Sequence, residues 1–381
     1  MVRKINHEQL KQVIRILYEN PDRDGKKIPG MCYGSFGIGK SQSIKQASKM
    51  LAFLRKKKFV EWNLLTYEQK LDIIENNKYK ELFIYFDIRL AQFDSVDIRG
   101  LPDYSKLRRW VEWRYPFFVE ILQHPDSDGI LFFDEINLAT DMTLKSCYQI
   151  LHDKVISDVK INYNWLILAA GNLETDRSNV QDMVPPLKDR LCEFELIPPS
   201  NREWIKWALS VGINAKIIAY HTWKGDMLRK INYKDGQKFT SERGWQRIDA
   251  IMNLPISDIE LIAGTLIGEG VAVEFVDFLK LQDKVNLDEI VRNPEKIRTV
   301  TDVGQKYFVI SGLSEKYAQD GMTFEQLFAI SVVLEDSKSG DFTALLWRFC
   351  SKLSKAKFRK DFTTKELKHS LRDKFYRYLT D

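Results

Sequence analysis

The sequence predicts an α/β core followed by a helical half. Three observations carry this. Up to about residue 200, helical stretches alternate with short apolar runs of strand length. A glycine-rich loop, Gly34 to Ser41, joins one such run to an amphipathic stretch. Beyond Pro198-Pro199-Ser200 the strand signals largely vanish, and helical spacing continues through the rest of the chain. Strands alternating with helices are the pattern of a parallel sheet covered on both faces.

In chain order, residues 7–19 have helical spacing and stop at Asn20-Pro21, because the residue before proline is pushed out of the helical region. Ile28 to Tyr33 reads as a strand, the glycine loop follows, and a helix runs from Ser41 to about Lys56. A charged stretch over 66–76 reads as helix. Four more strands are expected at 81–87, 129–134, 165–170 and 192–197. The runs at 129–134 and 165–170 are continuously apolar, as strands buried on both faces are. A domain boundary is expected at Pro198–Ser200 and a weaker one over 293–301, around Asn293-Pro294.

Composition narrows the class. The chain has 381 residues, 44% of them apolar and 29% charged, which excludes a disordered, collagenous or coiled-coil protein as a whole. The net charge of +5 is uneven: residues 351–381 carry ten Lys/Arg against four acids, leaving 48 basic and 49 acidic residues elsewhere. The body is therefore not a polybasic nucleic-acid binder, and the tail reads as a solvated helical face. Cys32, Cys147, Cys192 and Cys350 form no CxxC pair; three of them sit in apolar or strand-like contexts and read as small core residues in a reducing compartment. Five scattered histidines give no zinc spacing. Met1 to Leu10 is not a signal sequence, and the most apolar stretch, Leu261 to Leu279, contains Glu269, Glu274 and Asp277. A cytoplasmic protein without membrane insertion is expected.

Gly34-Ser35-Phe36-Gly37-Ile38-Gly39-Lys40-Ser41 fits G-x-x-x-x-G-K-[ST] at every fixed position, with Gln42 next on the helix. Glycines let the backbone curl so that successive N–H groups face phosphate oxygens, and the helix N-terminus adds positive potential. Lys40 supplies charge near the β- and γ-phosphates, and the Ser41 hydroxyl ligates Mg²⁺. The bland alternative, a loop that merely joins strand to helix, leaves the Lys-Ser pair unexplained. In Gly129-Ile-Leu-Phe-Phe-Asp134-Glu135, an apolar strand delivers Asp134 to its carboxyl end. There it is expected to hold Mg²⁺ through water, and Glu135 is placed to act as general base on the attacking water. Trp165-Leu-Ile-Leu-Ala-Ala-Gly171-Asn172 ends in a polar residue suited to orient that water or touch the γ-phosphate. Taken alone, Asn172 reads equally as a turn cap.

These pieces, with Asp189-Arg190-Leu191 and Ser241-Glu242-Arg243-Gly244-Trp245, occur in an order that resembles the AAA+ ATPases, and within them the MoxR-like branch. The resemblance covers about residues 25–255. It extends to Asp94-Ser-Val-Asp97-Ile-Arg-Gly100-Leu-Pro102 and to a hairpin at 152–161 before Asn172. It departs from the pattern in a helical insertion at 57–80 and in Ser-Glu-Arg-Gly where Ser-Pro-Arg is commoner. The resemblance implies a P-loop AAA+ core with strand order 5-1-4-3-2 and an N-terminal helix over 1–200, a helical lid over 201–300, and a helical C-terminal region with the basic tail over 301–381. It implies ATP and Mg²⁺ as cofactors and Asn172 as sensor 1. It also implies Arg190 as the arginine finger, with Arg177 and Arg202 as alternatives, and Arg243 as sensor 2. The implied assembly is a homo-oligomeric ring, a hexamer. It would hydrolyse ATP to remodel, activate or assemble a protein partner, such as one with a von Willebrand factor A domain. Two rivals share the core: a nucleic-acid motor or loader, and a nucleotide-binding structural subunit. A kinase or GTPase fits less well, since no Asn-Lys-x-Asp is present.

Overall fold

The computed structural model describes residues 2–105, 112–173, 188–230, 239–337, 339–364, 375 and 377–379. Much of the basic tail, residue 177 and residues 185–187 lie outside them. The chain divides into two compact units, Met1–Pro198 and Pro199–Asp381.

In the first unit the strands are β1 (Arg3–Ile5), β2 (Gly30–Tyr33), β3 (Lys58–Glu61), β4 (Leu82–Arg89), β5 (Leu101–Asp103), β6 (Glu112–Arg114), β7 (Gly129–Asp134), β8 (Val155–Ile156), β9 (Val159–Lys160), β10 (Trp165–Gly171) and β11 (Cys192–Leu196). Among the described residues, seven of them form one sheet in the order β1-β11-β2-β10-β7-β4-β3. Every neighbouring pair in it is parallel. The inner five strands stand in the expected order 5-1-4-3-2 of a P-loop AAA+ core. β5 pairs with β6 and β8 with β9, both antiparallel; the second pair is the hairpin expected over 152–161.

The sheet has two edge strands that the sequence did not announce. β1 lies beside β11, with Arg3 opposite Phe194, and only Ile5 of its three residues is buried. β3 falls inside the stretch expected to be a helical insertion. That expectation is corrected in part: Lys58–Glu61 is a strand paired with β4, and the helical part is the α-helix Tyr67–Glu75 with short 3-10 turns at Trp62–Leu64 and Lys78–Glu81. Strands of three or four residues are too short to show a strand period.

Period-two alternation sorts the central strands into two cores. Phe83, Tyr85, Ile130, Phe132, Leu166 and Leu168 pack on one face, with Ile44, Ala47 and Leu51 of the helix after the glycine loop. Ile84, Phe86, Leu131, Phe133 and Ile167 pack on the other. All seven residues of β10 are buried, so the run is apolar throughout rather than alternating. Cys32 and Cys147 belong to these cores, and burial pushes both thiols up to about 12, which makes them inert. Among the described residues the α-helices of this unit are α1 (His7–Glu19), α2 (Lys40–Leu54), α3 (Tyr67–Glu75), α4 (Ser95–Arg99), α5 (Phe118–Gln123) and α6 (Asp141–Asp153). α1 opens with a capping box, Asn6 and Gln9 each bonding the other's backbone N–H.

α6 ends on Lys154 in a left-handed conformation, φ 55°. This lysine is 2% exposed and its Nζ donates to the Trp165 carbonyl at 2.7 Å. Burial pushes it down to about 7, with Lys27 reinforcing, Asp22 opposing and Lys26 reinforcing. In the unfolded chain the amine titrates at about 10.4. Between pH 7 and 10 the unfolded state therefore holds more protons, so stability rises with pH, at most by about 1.4 kcal/mol per unit. Below pH 7 both states are protonated and the slope vanishes. Lys154→Met is expected to lose this rise. Urea unfolding of both proteins from pH 7 to 9.5 checks it, and parallel pH profiles would show the burial to be harmless.

The second unit is helical among its described residues. Ser200 caps its helix Asn201–Val211 through a box with Glu203. One hydrophobic cluster runs from Trp204 through Tyr220, Trp245, Phe275, Phe308 and Trp347 to Phe375. His221 is wholly buried there against Trp204 and Trp245, and burial pushes it down to about 3, so it is a neutral core residue. No helix among the described residues is long and apolar enough to cross a membrane.

Candidate active site

The strand order decides the site. β2, β10 and β7 are adjacent and parallel, so their carboxyl ends bring together segments more than 100 residues apart in sequence. Past β2 the chain turns through Gly37 and Gly39, whose φ values of 76° and 88° fall in the region that glycine tolerates. α2 then starts at Lys40 and aims its N-terminus at the strand ends.

Lys40 is 8% exposed, and its Nζ donates to the carbonyls of Gly34 (2.6 Å) and Ser35 (3.0 Å) and to Asn172 Oδ1 (3.0 Å). The Ser41 hydroxyl donates to Asp134 Oδ2 at 2.6 Å. Thus residues read separately from the glycine loop, β7 and β10 meet in one corner. Glu135 is exposed, and its backbone N–H donates to Asp134 Oδ1 at 3.0 Å. Its φ of 54° is unusual for a residue with a side chain, and such strain concentrates at functional positions. Gln42 faces a polar cavity of about 450 Å³ beside Ser41.

Arg190 is exposed on a turn just before β11. Arg202 and Arg243 belong to the second unit, both exposed. Arg243 lies in the first turn of the helix Glu242–Asp249, beside Glu242, which is buried and paired with Arg229 at 2.7 Å. Arg177 lies outside the described residues.

No protein-family model and no curated protein matches the chain. Solved structures similar to it include PCH-2 of C. elegans, at 13% identity over 71% of this chain and 67% of that one, with a TM-score of 0.31. The Thermotoga maritima RuvB Holliday junction branch migration motor matches at 13% over 87% and 88%, with 0.32. The Aeropyrum pernix ORC2 protein matches at 15% over 98% and 84%, with 0.31. Identities this low and TM-scores this small assign no role to the chain.

Sequence reasoning missed two residues of the corner. Asn137 is buried and clamps the backbone of Asn172: its Nδ2 donates to the Asn172 carbonyl (2.8 Å) and its Oδ1 accepts from the Asn172 N–H (3.0 Å). The clamp needs Gly171, since a Cβ there would stand 2.9 Å from the Asn137 amide. A buried amide two residues past Glu135 has no periodic signature. Asp87, near the end of β4, was legible only as a strand residue. It shares a strand face with Tyr85, as Asp134 does with Phe132. Burial, with the Asp134 carboxylate next, pushes it up to about 6; Arg89 and Lys45 pull the other way, and Glu135 adds to the rise.

Proposed function

We propose that this chain is a MoxR-type AAA+ ATPase. In this reading it works as a homo-oligomeric ring, a hexamer, and couples Mg²⁺-dependent ATP hydrolysis to remodelling, activating or assembling a protein partner, such as one bearing a von Willebrand factor A domain. The observation that carries the reading is the corner where Lys40, Ser41, Asp134 and Asn172 meet across three strand ends, with Glu135 adjoining. The donor set fits the metal: a hydroxyl and a carboxylate oxygen 2.6 Å apart are the hard oxygen ligands that Mg²⁺ takes. When bound, Mg²⁺ neutralises charge on the β- and γ-phosphate oxygens.

The chain's own residues divide the remaining work. Backbone N–H groups of Gly34 to Gln42 and the α2 N-terminus cradle the phosphates. Lys40 lies close enough to Asn172 for both to serve the γ-phosphate end. Glu135 takes the proton of the attacking water, and Asn172, fixed by Asn137, orients that water. Arg190, exposed on the surface, is available to a neighbouring subunit's phosphate. Arg243 and a lid over residues 201–300 complete the reading, with 301–381 as a further helical region.

The test is nucleotide binding. Lys40→Ala removes charged hydrogen bonds worth about 1.5–3 kcal/mol each. Equilibrium binding of a fluorescent ATP analogue is expected to weaken roughly 10- to 100-fold, and unchanged affinity would remove the phosphate site. Turnover unaffected by DNA fits a protein client, whereas stimulation by DNA would favour the nucleic-acid motor.

A further inference from the structure

The cavity of about 450 Å³ beside the Ser41 corner is walled by Ser41 and Lys45 of α2, by Glu61 and Asn63 of the β3 edge, and by Asp87 and Arg89 of β4. The unexpected strand β3 supplies its far wall. Asn63 continues the β3–β4 pairing: its Oδ1 accepts from the Asp87 N–H (3.1 Å) and its Nδ2 donates to the Asp87 carbonyl (2.7 Å). The backbone of Asp87 is therefore pinned, and its side chain projects on the Asp134 face of the sheet by strand alternation.

One carboxylate oxygen of Asp87, Oδ1, is buried and has no hydrogen-bond partner. A buried acceptor without a partner costs about 1–3 kcal/mol, and more when it belongs to a charged group. The nearby cations do not remove the anomaly. Lys45 holds Glu61 at 2.5 Å. The other charged groups acting on Asp87 are Asp134, Glu135 and Arg89, and two of these three repel it. A carboxylate kept beside two others in the wall of this cavity suits an acceptor for donors that arrive with a cation.

Mg²⁺ supplies such donors. It is bound by one or two protein groups plus phosphates and keeps several waters, whose hydrogens point outward. We propose that Asp87 is a positioning residue that accepts hydrogen bonds from the water shell of the divalent cation held by Ser41 and Asp134. This rests on the reading of Ser41 and Asp134 as the metal corner. Asp87 acts through metal-bound water and touches neither phosphate nor metal. Its effect falls on how tightly and in what orientation the cation sits. Outer-shell partners of this kind are typically worth 10–100-fold in metal affinity.

Mn²⁺ is the probe, with a non-hydrolysable ATP analogue and the full chain; free Mn²⁺ is read by electron paramagnetic resonance. Asp87→Asn is expected to weaken Mn²⁺ binding about tenfold or more. Analogue affinity measured in EDTA is expected to stay the same, and the metal-free thermal midpoint is expected not to fall, since the substitution relieves a repelled, unpartnered carboxylate. Asp87→Ala, read in the same titration, must show the same loss. Unchanged Mn²⁺ affinity in both variants overturns the proposal, as does a midpoint loss equal with and without metal, which marks a merely structural carboxylate. Ser41→Ala separates the two claims. If it weakens Mn²⁺ while the Asp87 variants do not, only the role of Asp87 falls. If Ser41→Ala also leaves Mn²⁺ binding intact, the metal corner is wrong and the proposal falls with it.

Discussion

Glu135→Gln is expected to bind ATP and leave it intact. The amide keeps the length and shape of the side chain but cannot take a proton from water. General-base loss costs about 10²–10⁴-fold in rate. The structure makes this a clean substitution. Glu135 is exposed, so no core packing changes, and its contact with Asp134 runs through its backbone N–H, which glutamine retains. Its φ of 54° is equally awkward for either residue, so folding is expected to be unaffected. Single-turnover hydrolysis, with binding measured in parallel, checks the claim. Near wild-type turnover would exclude Glu135 as the base. Weakened binding with weakened turnover would mean a misplaced Asp134.

Arg190→Ala is expected to keep most nucleotide affinity and lose most turnover. A finger supplied from a neighbour answers charge that develops during transfer, and is worth about 10³–10⁵ in rate in other phosphoryl-transfer enzymes. Arg190 is exposed, as a group that reaches out of its own subunit must be. This gives a mixing test. Arg190→Ala subunits keep the corner of Lys40, Ser41 and Asp134, and Glu135→Gln subunits keep the arginine. Mixed together, two inactive proteins are expected to form some complete interfaces and regain measurable ATPase. If mixed assemblies form by size and no activity returns, Arg190 is a surface residue, and Arg177 or Arg202 is next to test.

The sequence by itself determined what local chemistry can determine. The glycine loop was readable because its glycines, Lys40 and Ser41 serve a backbone shape that few other residues allow. Asp134 and Asn172 were legible as strand-end residues because each closes an apolar run. The end of the strand-bearing stretch was legible in Pro198-Pro199-Ser200, whereas the cap that Ser200 gives the next helix is seen only in the structure. The tertiary structure alone decided what depends on neighbours distant in sequence. β1 and β3 are strands because β11 and β4 offer open edges, not because three or four residues carry a strand period. Lys154 has a depressed proton affinity because α6 ends against β10 and buries its amine, which nothing in the local sequence announces. Asn137 clamps Asn172 across 35 residues only because β7 and β10 lie side by side. Asp87 has a stranded oxygen because the sheet sets its strand beside the one that carries Asp134, and burial and charge depend on that arrangement, not on residue type.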